Sequence, residues 1–396
     1  MIKYILTLLI VPTLFSLANG QTDPVAAATY HFKMDNGTLV GAGADSLKTN
    51  IAQSQFFLIG EEHDMVELQK LTATLMPFLK ASNYKNLAVE IGPASARKLI
   101  SIYEKKESLN VFNTRYAKYL GRGPLGFFDG LDEELLLKGA MNNGMKLWGI
   151  DFENYNASLF ILDELYQHSS KDKQIKAAYE NAWKFVVSEY AQDKVSKKYP
   201  LTSNFLSSPQ IRTYFSLVDE VPENKWLIAQ IRQSWNLYQQ ERINNWFPRV
   251  LNMKSTFVKY YQEACKSEIL PKVVVKLGAV HTARGTSSSG FQEVGNTLYE
   301  LAHFNGTKVF SVISFARYRI DEKGILTDEL DLNDLQLLKY TDEKSWSLIN
   351  LKQLAKDGWE GKIKLSQIMQ DYIQKYDMMM IPPATKRMGH NYSPDK

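Results

Sequence analysis

The sequence predicts an α/β fold with a mostly parallel central sheet flanked by helices and carrying a large helical insertion. Three observations point there. Four short, almost wholly apolar runs stand apart along the chain: Phe56–Gly60, Asn86–Val89, Leu147–Ile150 and Val273–Val280. Runs of this kind read as strands buried on both faces, as in parallel sheets. The segments between the first three carry helical spacing, so each strand–helix–strand unit reads as a right-handed βαβ crossover. Finally, each run ends on an acid or a histidine: Glu61, Glu62 and His63, then Glu90, Asp151 and His281. Open parallel sheets bind their ligands beyond the carboxyl ends of the strands, so one rim would receive two histidines and several carboxylates.

Taken in order, residues 1–20 read as a secretory signal. Lys3 supplies the positive start, Tyr4 to Leu17 is apolar, and Ala18-Asn19-Gly20 offers small residues for cleavage. The expectation is a secreted or periplasmic protein whose residues 21–396 form one α/β domain. No later stretch approaches the ~20 apolar residues of a membrane span. Residues 21–50 read as an irregular lead-in with one short helix. After the first strand, Asp64 reads as an N-cap with Glu67 three residues on, and Val66, Leu68, Leu71, Leu75, Phe78 and Leu79 follow helical spacing. After the second strand, Gly92-Pro93 starts a helix. Gly121–Gly130 reads as a loop, and a helix over about 131–142 leads to the third strand. Residues 155–268 show helical periodicity alone and form the insertion. The sheet resumes at Lys272; Gly285–Gly290 reads as a flexible loop and a candidate lid. A helix near 293–303 and a strand near 308–316 follow, and the tail beyond Pro382 reads as poorly ordered.

Composition narrows the function classes. The net charge is +4 over 396 residues with no long basic run, so nothing points to nucleic acid. The single cysteine, Cys265, excludes an intrachain disulfide and reads as a helix core residue. There is no Gly-x-Ser-x-Gly elbow, no His-Glu-x-x-His helix and no phosphate-binding glycine loop. What remains is activation of water.

In an extended segment Glu61 and His63 share a side, so the carboxylate can orient the imidazole and raise its basicity. His281 repeats the pattern: Gly60-Glu61-Glu62-His63 and Gly278-Ala279-Val280-His281 are both Gly-x-x-His at the end of an apolar strand. Only six histidines occur in the chain, which makes the agreement informative. Glu90 and Asp151 complete the rim, and Glu153 is a weaker candidate. Arg284, three residues past His281, is read as an oxyanion stabiliser or a partner of Glu61 or Glu90. Arg122 reads as a loop arginine. Two chemistries stay open. Either His63 is a general base assisted by carboxylates, or His63, His281 and Glu90 hold a divalent zinc, manganese or iron whose bound water attacks.

These motifs resemble the superfamily of erythromycin esterase-like hydrolases, ChaN-like haem-binding proteins and the TIKI/TraB group. Leu58–Asp64 is similar to the first ChaN-like motif. Leu87-Ala88-Val89-Glu90 resembles the second-strand glutamate segment of the group. Two Gly-x-x-His segments with a glutamate between them look like the TIKI/TraB pattern. Gly149-Ile150-Asp151 and Val294–Leu298 look like the erythromycin esterase family, although Gly278 stands where that family carries a further histidine. The resemblance implies a hydrolase of ester or amide bonds in a small molecule or peptide, or alternatively a protein that holds haem or a metal without turnover.

Overall fold

The computed structural model describes residues 23–196, 198–331 and 333–393. The signal segment read over residues 1–20 lies outside them. No helix among the described residues is long and apolar enough to cross a membrane.

The strands are β1 (Thr29–Asp35), β2 (Thr38–Val40), β3 (Phe56–Glu61), β4 (Tyr84–Val89), β5 (Lys146–Gly149), β6 (Lys272–Gly278), β7 (Val309–Ser314), β8 (Tyr318–Ile320), β9 (Leu326–Asp328), β10 (Trp346–Asn350), β11 (Met378–Ile381) and β12 (Thr385–Lys386). Nine of them form one sheet in the order β2-β1-β10-β11-β7-β3-β6-β4-β5, and β12-β8-β9 form a smaller one. From β11 through β5 every pairing is parallel. The β2, β1 and β10 side is antiparallel.

The four apolar runs are the neighbouring strands β3, β6, β4 and β5, the last at the sheet edge, and both faces of this part of the sheet are covered. Phe57 and Ile59 of β3 join the core cluster that includes the insertion, together with Leu87, Val89 and Val274. Phe56 and Leu58 join the opposite cluster with Ala88, Val273, Val275 and Trp148. Between β5 and β6 lie the helices Ser158–Gln167, Lys173–Val195, Leu201–Ser207, Pro209–Val218, Pro222–Arg242 and Phe247–Cys265, as the periodicity of residues 155–268 predicts.

Other expectations give way. The lead-in is not irregular: it holds two short strands and the helix Ala42–Ala52. β1 alternates charged and apolar residues and is only partly buried, so it lacks the buried-strand signature. Asp64 is no helix cap. Its backbone is left-handed (φ 67°), and the helix Val66–Ala81 starts from Met65 without a side-chain cap. The tail is ordered through residue 393: β12 pairs with β8, and Met388 and Asn391 are buried. Cys265 is exposed at the last position of its helix. The Gly285–Gly290 loop closes on itself through Ser287 N–H donating to Phe291 O at 2.9 Å.

The helix Val294–Phe304 presses on the short helix Ala279–Thr282 that follows β6. Gly295 permits this, because a Cβ there would overlap the Thr282 backbone. Gly295→Ala is therefore expected to destabilise the protein by about 1–3 kcal/mol, as overpacking does, measured as a shift in the denaturant midpoint.

Candidate functional site

Strand register assembles the rim. Glu61 of β3 lies beside Gly278 of β6, and Val89 of β4 lies beside Lys276. Glu90, one residue past β4, therefore comes level with the end of β6. Its Oε2 accepts the Gly278 N–H at 2.6 Å. Gly278 is required here, since a Cβ at that position would sit 2.9 Å from His63 Nε2.

Glu90 is the hub. Its Oε1 receives Arg249 Nη2 at 3.0 Å and lies 3.5 Å from His281 Nε2. Its Oε2 lies 3.9 Å from His63 Nε2. His63 Nδ1 faces Glu61 Oε1 at 3.3 Å, and the other Glu61 oxygen is paired with Lys276. His281 Nδ1 faces Glu293 Oε2 at 3.0 Å, while Glu293 Oε1 receives Ser289 Oγ at 2.7 Å. Asp151 pairs with Arg249 at 2.6 Å. Both imidazoles thus offer Nε2 toward the Glu90 carboxylate and Nδ1 toward a second carboxylate. The two differ in access: the His63 side chain is 36 % exposed and His281 13 %. Phe127 packs against His63 with ring centroids 4.3 Å apart and planes tilted by 31°. Phe127 also lines a cleft of about 160 Å³ with Glu90, Asp151, Tyr238, Glu241 and Arg249.

This geometry decides protonation. Burial opposes charging His63, but its hydrogen bond to Glu61 and the nearby Glu90 and Glu61 charges outweigh that and raise its pKa. Burial likewise opposes the His281 cation, and bonding to Glu293 and Glu90 overrides it, raising the pKa to about 10. Burial would push Glu61 and Glu90 up. Lys276 and His63 hold Glu61 below the ordinary carboxylate value, and His281, Arg249 and His63 do the same for Glu90. Glu241 is raised to about 7, chiefly by burial.

The expected set of His63, Glu61, Glu90, His281 and Asp151 does converge. Arg284 does not. Its guanidinium donates to Gln374 O at 2.8 Å and Ile373 O at 3.1 Å, which places the cation at the C-terminal end of the helix Gln367–Lys375 and its negative dipole. The short helix Ala279–Thr282 ends one residue past His281, and the extended backbone at Ala283 carries Arg284 away from the rim. Glu153 caps the helix Pro93–Glu104 through Ala94 N at 2.6 Å and Ser95 N at 3.1 Å. Arg122 is exposed.

Four site residues escaped the sequence reading. Lys276 carried a signal, as the one charge inside a buried apolar strand, where an ion needs a partner. Arg249 lies in the insertion, 98 residues from Asp151, and nothing local marks it. Glu293 and Phe127 likewise become site residues only through folding.

The divalent-metal reading does not fit this donor set. Among the described residues no group of three or more histidine, cysteine, aspartate or glutamate side chains is arranged to hold a metal ion. Both Glu90 oxygens are engaged, by Arg249 and by Gly278 N–H, and two cationic side chains already neutralise the carboxylates. A cleft of about 570 Å³ lies between Trp226 and Tyr260 and has no histidine, cysteine or methionine in its lining.

No protein-family model matches the chain, and no curated protein matches it. Solved structures do. A succinoglycan biosynthesis protein aligns with a TM-score of 0.53 at 14 % identity, over 94 % of this chain and 98 % of that one. The erythromycin esterase EreC, in its open conformation, aligns at 0.48 and 12 % identity, over 87 % and 94 %. The haem-binding ChaN of Campylobacter jejuni aligns at 0.32 and 12 % identity, over 72 % and 91 %. At these identities the first match shows a shared fold and nothing finer.

The pKa directions make a stability prediction. His281 titrates higher folded than unfolded, so its contribution is complete below about 6.5, the unfolded value, and is lost as pH rises through about 10. The urea midpoint is expected to fall between pH 7 and 10, and to fall much less in His281→Gln. Glu61 and Glu90 act in the opposite sense. Their stabilisation is present above the ordinary carboxylate range and disappears as pH drops through their lowered values.

Proposed function

We propose that this protein is a hydrolase in which His63 activates water against an ester or amide carbonyl of a small molecule or peptide. The observation that carries the reading is the unequal environment of the two imidazoles around Glu90. One is accessible and one is locked as a cation, which separates a base from an electrostatic stabiliser. Neutral His63, with its Nδ1–H held by Glu61, presents a lone pair on Nε2. It takes a proton from water, and the hydroxide adds to the carbonyl carbon. The His281 imidazolium and Arg249 supply positive charge for the developing oxyanion. The C–O or C–N bond then breaks, and the His63 proton passes to the leaving oxygen or nitrogen. Every proton is accounted for without a protein nucleophile. The structural likeness to an esterase agrees in fold.

The competing reading, a haem-binding protein without turnover, draws support from the partial exposure of His63 and from the haem-binding neighbour. Titration with haem separates the two. A visible absorption band that is lost in His63→Ala, with no turnover on a panel of esters and peptides, would favour binding over hydrolysis.

Two outcomes test the hydrolase reading. His63→Ala is expected to lower kcat by at least about 100-fold, the scale of general base catalysis, in a protein that is less stable but still folds. Full activity in a folded His63→Ala variant would refute it. The rising limb of kcat/KM is expected above pH 6.5, because His63 must lose its proton from a raised pKa. Glu61→Gln removes a stabilising charge and moves that limb to lower pH.

A further inference from the structure

The C-terminal segment touches both halves of the His63 environment. Met388 N–H donates to Asp64 O at 3.1 Å, and Met65 bridges Arg387, so the turn directly after His63 is pinned. Three residues on, Asn391 N–H donates to Asp129 O at 2.7 Å, Gly389 O accepts Leu131 N–H at 2.9 Å, and Gly130 bridges His390. These contacts pin the loop that carries Phe127. From below, Asn113 Nδ2 holds Phe128 O at 3.1 Å. Between the two anchors Phe127 adopts φ +61°, a left-handed conformation that a bulky side chain takes only where its surroundings impose it. Its ring then lies against His63.

We infer that residues 387–391 form a strap that positions the His63 imidazole by holding Phe127 against it, with Phe127 acting as a positioning residue. The same strap fixes the turn behind the ring and the loop in front of it. The imidazole is therefore gripped on two sides, with its Nε2 turned toward Glu90. The left-handed backbone at Phe127 closes a turn in which Phe128 N–H donates to Leu125 O at 3.1 Å. It also presents an aromatic face to His63 and one wall of the cleft that contains Glu90, Asp151 and Arg249. This geometry does not require that the site hydrolyse anything, and its test is independent of turnover.

A stacked phenyl ring shifts the His63 ring protons upfield through its ring current. With histidine-labelled full-length protein, these resonances are expected to move downfield in Phe127→Gly, which keeps the φ +61° backbone without strain and so should remain folded. Asn391→Pro, which deletes one N–H of the strap and leaves Phe127 in place, is expected to move them in the same direction. If a hydrolysed substrate is in hand, both variants should lose kcat by about tenfold with little change in KM, as misplacement of a catalytic group does. Unshifted His63 resonances in Phe127→Gly would overturn the stacking. A folded Asn391→Pro protein with a lowered melting point and wild-type His63 resonances would overturn the strap and leave the segment a structural staple only.

Discussion

The Glu90 carboxylate has one arrangement in which it can exist as an anion inside this protein. It is buried at the end of a parallel strand, where an unpaired charge is prohibitively costly. Arg249, the Gly278 N–H, His281 and His63 all converge on it. Removing any one partner leaves charge that the interior cannot solvate. The position of β6 beside β4, the packing of the insertion over the sheet and the orientation of both histidines all meet at this group. Glu61 with Lys276, and Asp151 with Arg249, repeat the logic on either side.

The insertion is therefore more than a cover. The helix Phe247–Cys265 delivers Arg249, which balances carboxylates from two different strands. Without that cation the acids of β4 and β5 would repel one another. The helix Pro222–Arg242 adds Tyr238 and Glu241 to the same cleft. A shared parallel sheet supplies acids at its rim, and this chain matches them with cations from elsewhere. The donor set consequently favours proton transfer and charge stabilisation over metal ligation.

Access divides the labour between the two histidines. His281 sits against Glu293 and Glu90, where a proton is held tightly. His63 stands at the edge, part-exposed, with Nδ1 toward Glu61 and Nε2 toward Glu90. Burial and carboxylate contact act on both, and the balance differs because Glu293 is almost wholly enclosed and the His63 ring is partly wet. Unequal environments of like groups are a recurring way for a site to hold acid and base together at one pH.

The sequence by itself determined the central strands and the residues placed at their ends. Period and burial are local properties, and a strand that is apolar on both faces declares its place in a sheet. It could also place Glu61 beside His63, since alternation along a strand is fixed by backbone geometry. Lys276 was legible in principle as a charge in an apolar run. β1 was legible in principle too, since Thr29–Asp35 alternates polar and apolar residues as a half-buried strand does. Only the tertiary structure could decide that Arg249 enters the site and Arg284 leaves it. Both are arginines in or beside helical segments, and their roles follow from which helix face or helix end meets the sheet. The C-terminal strap is of the same kind: its hydrogen bonds run through backbone groups, which every sequence possesses and none advertises.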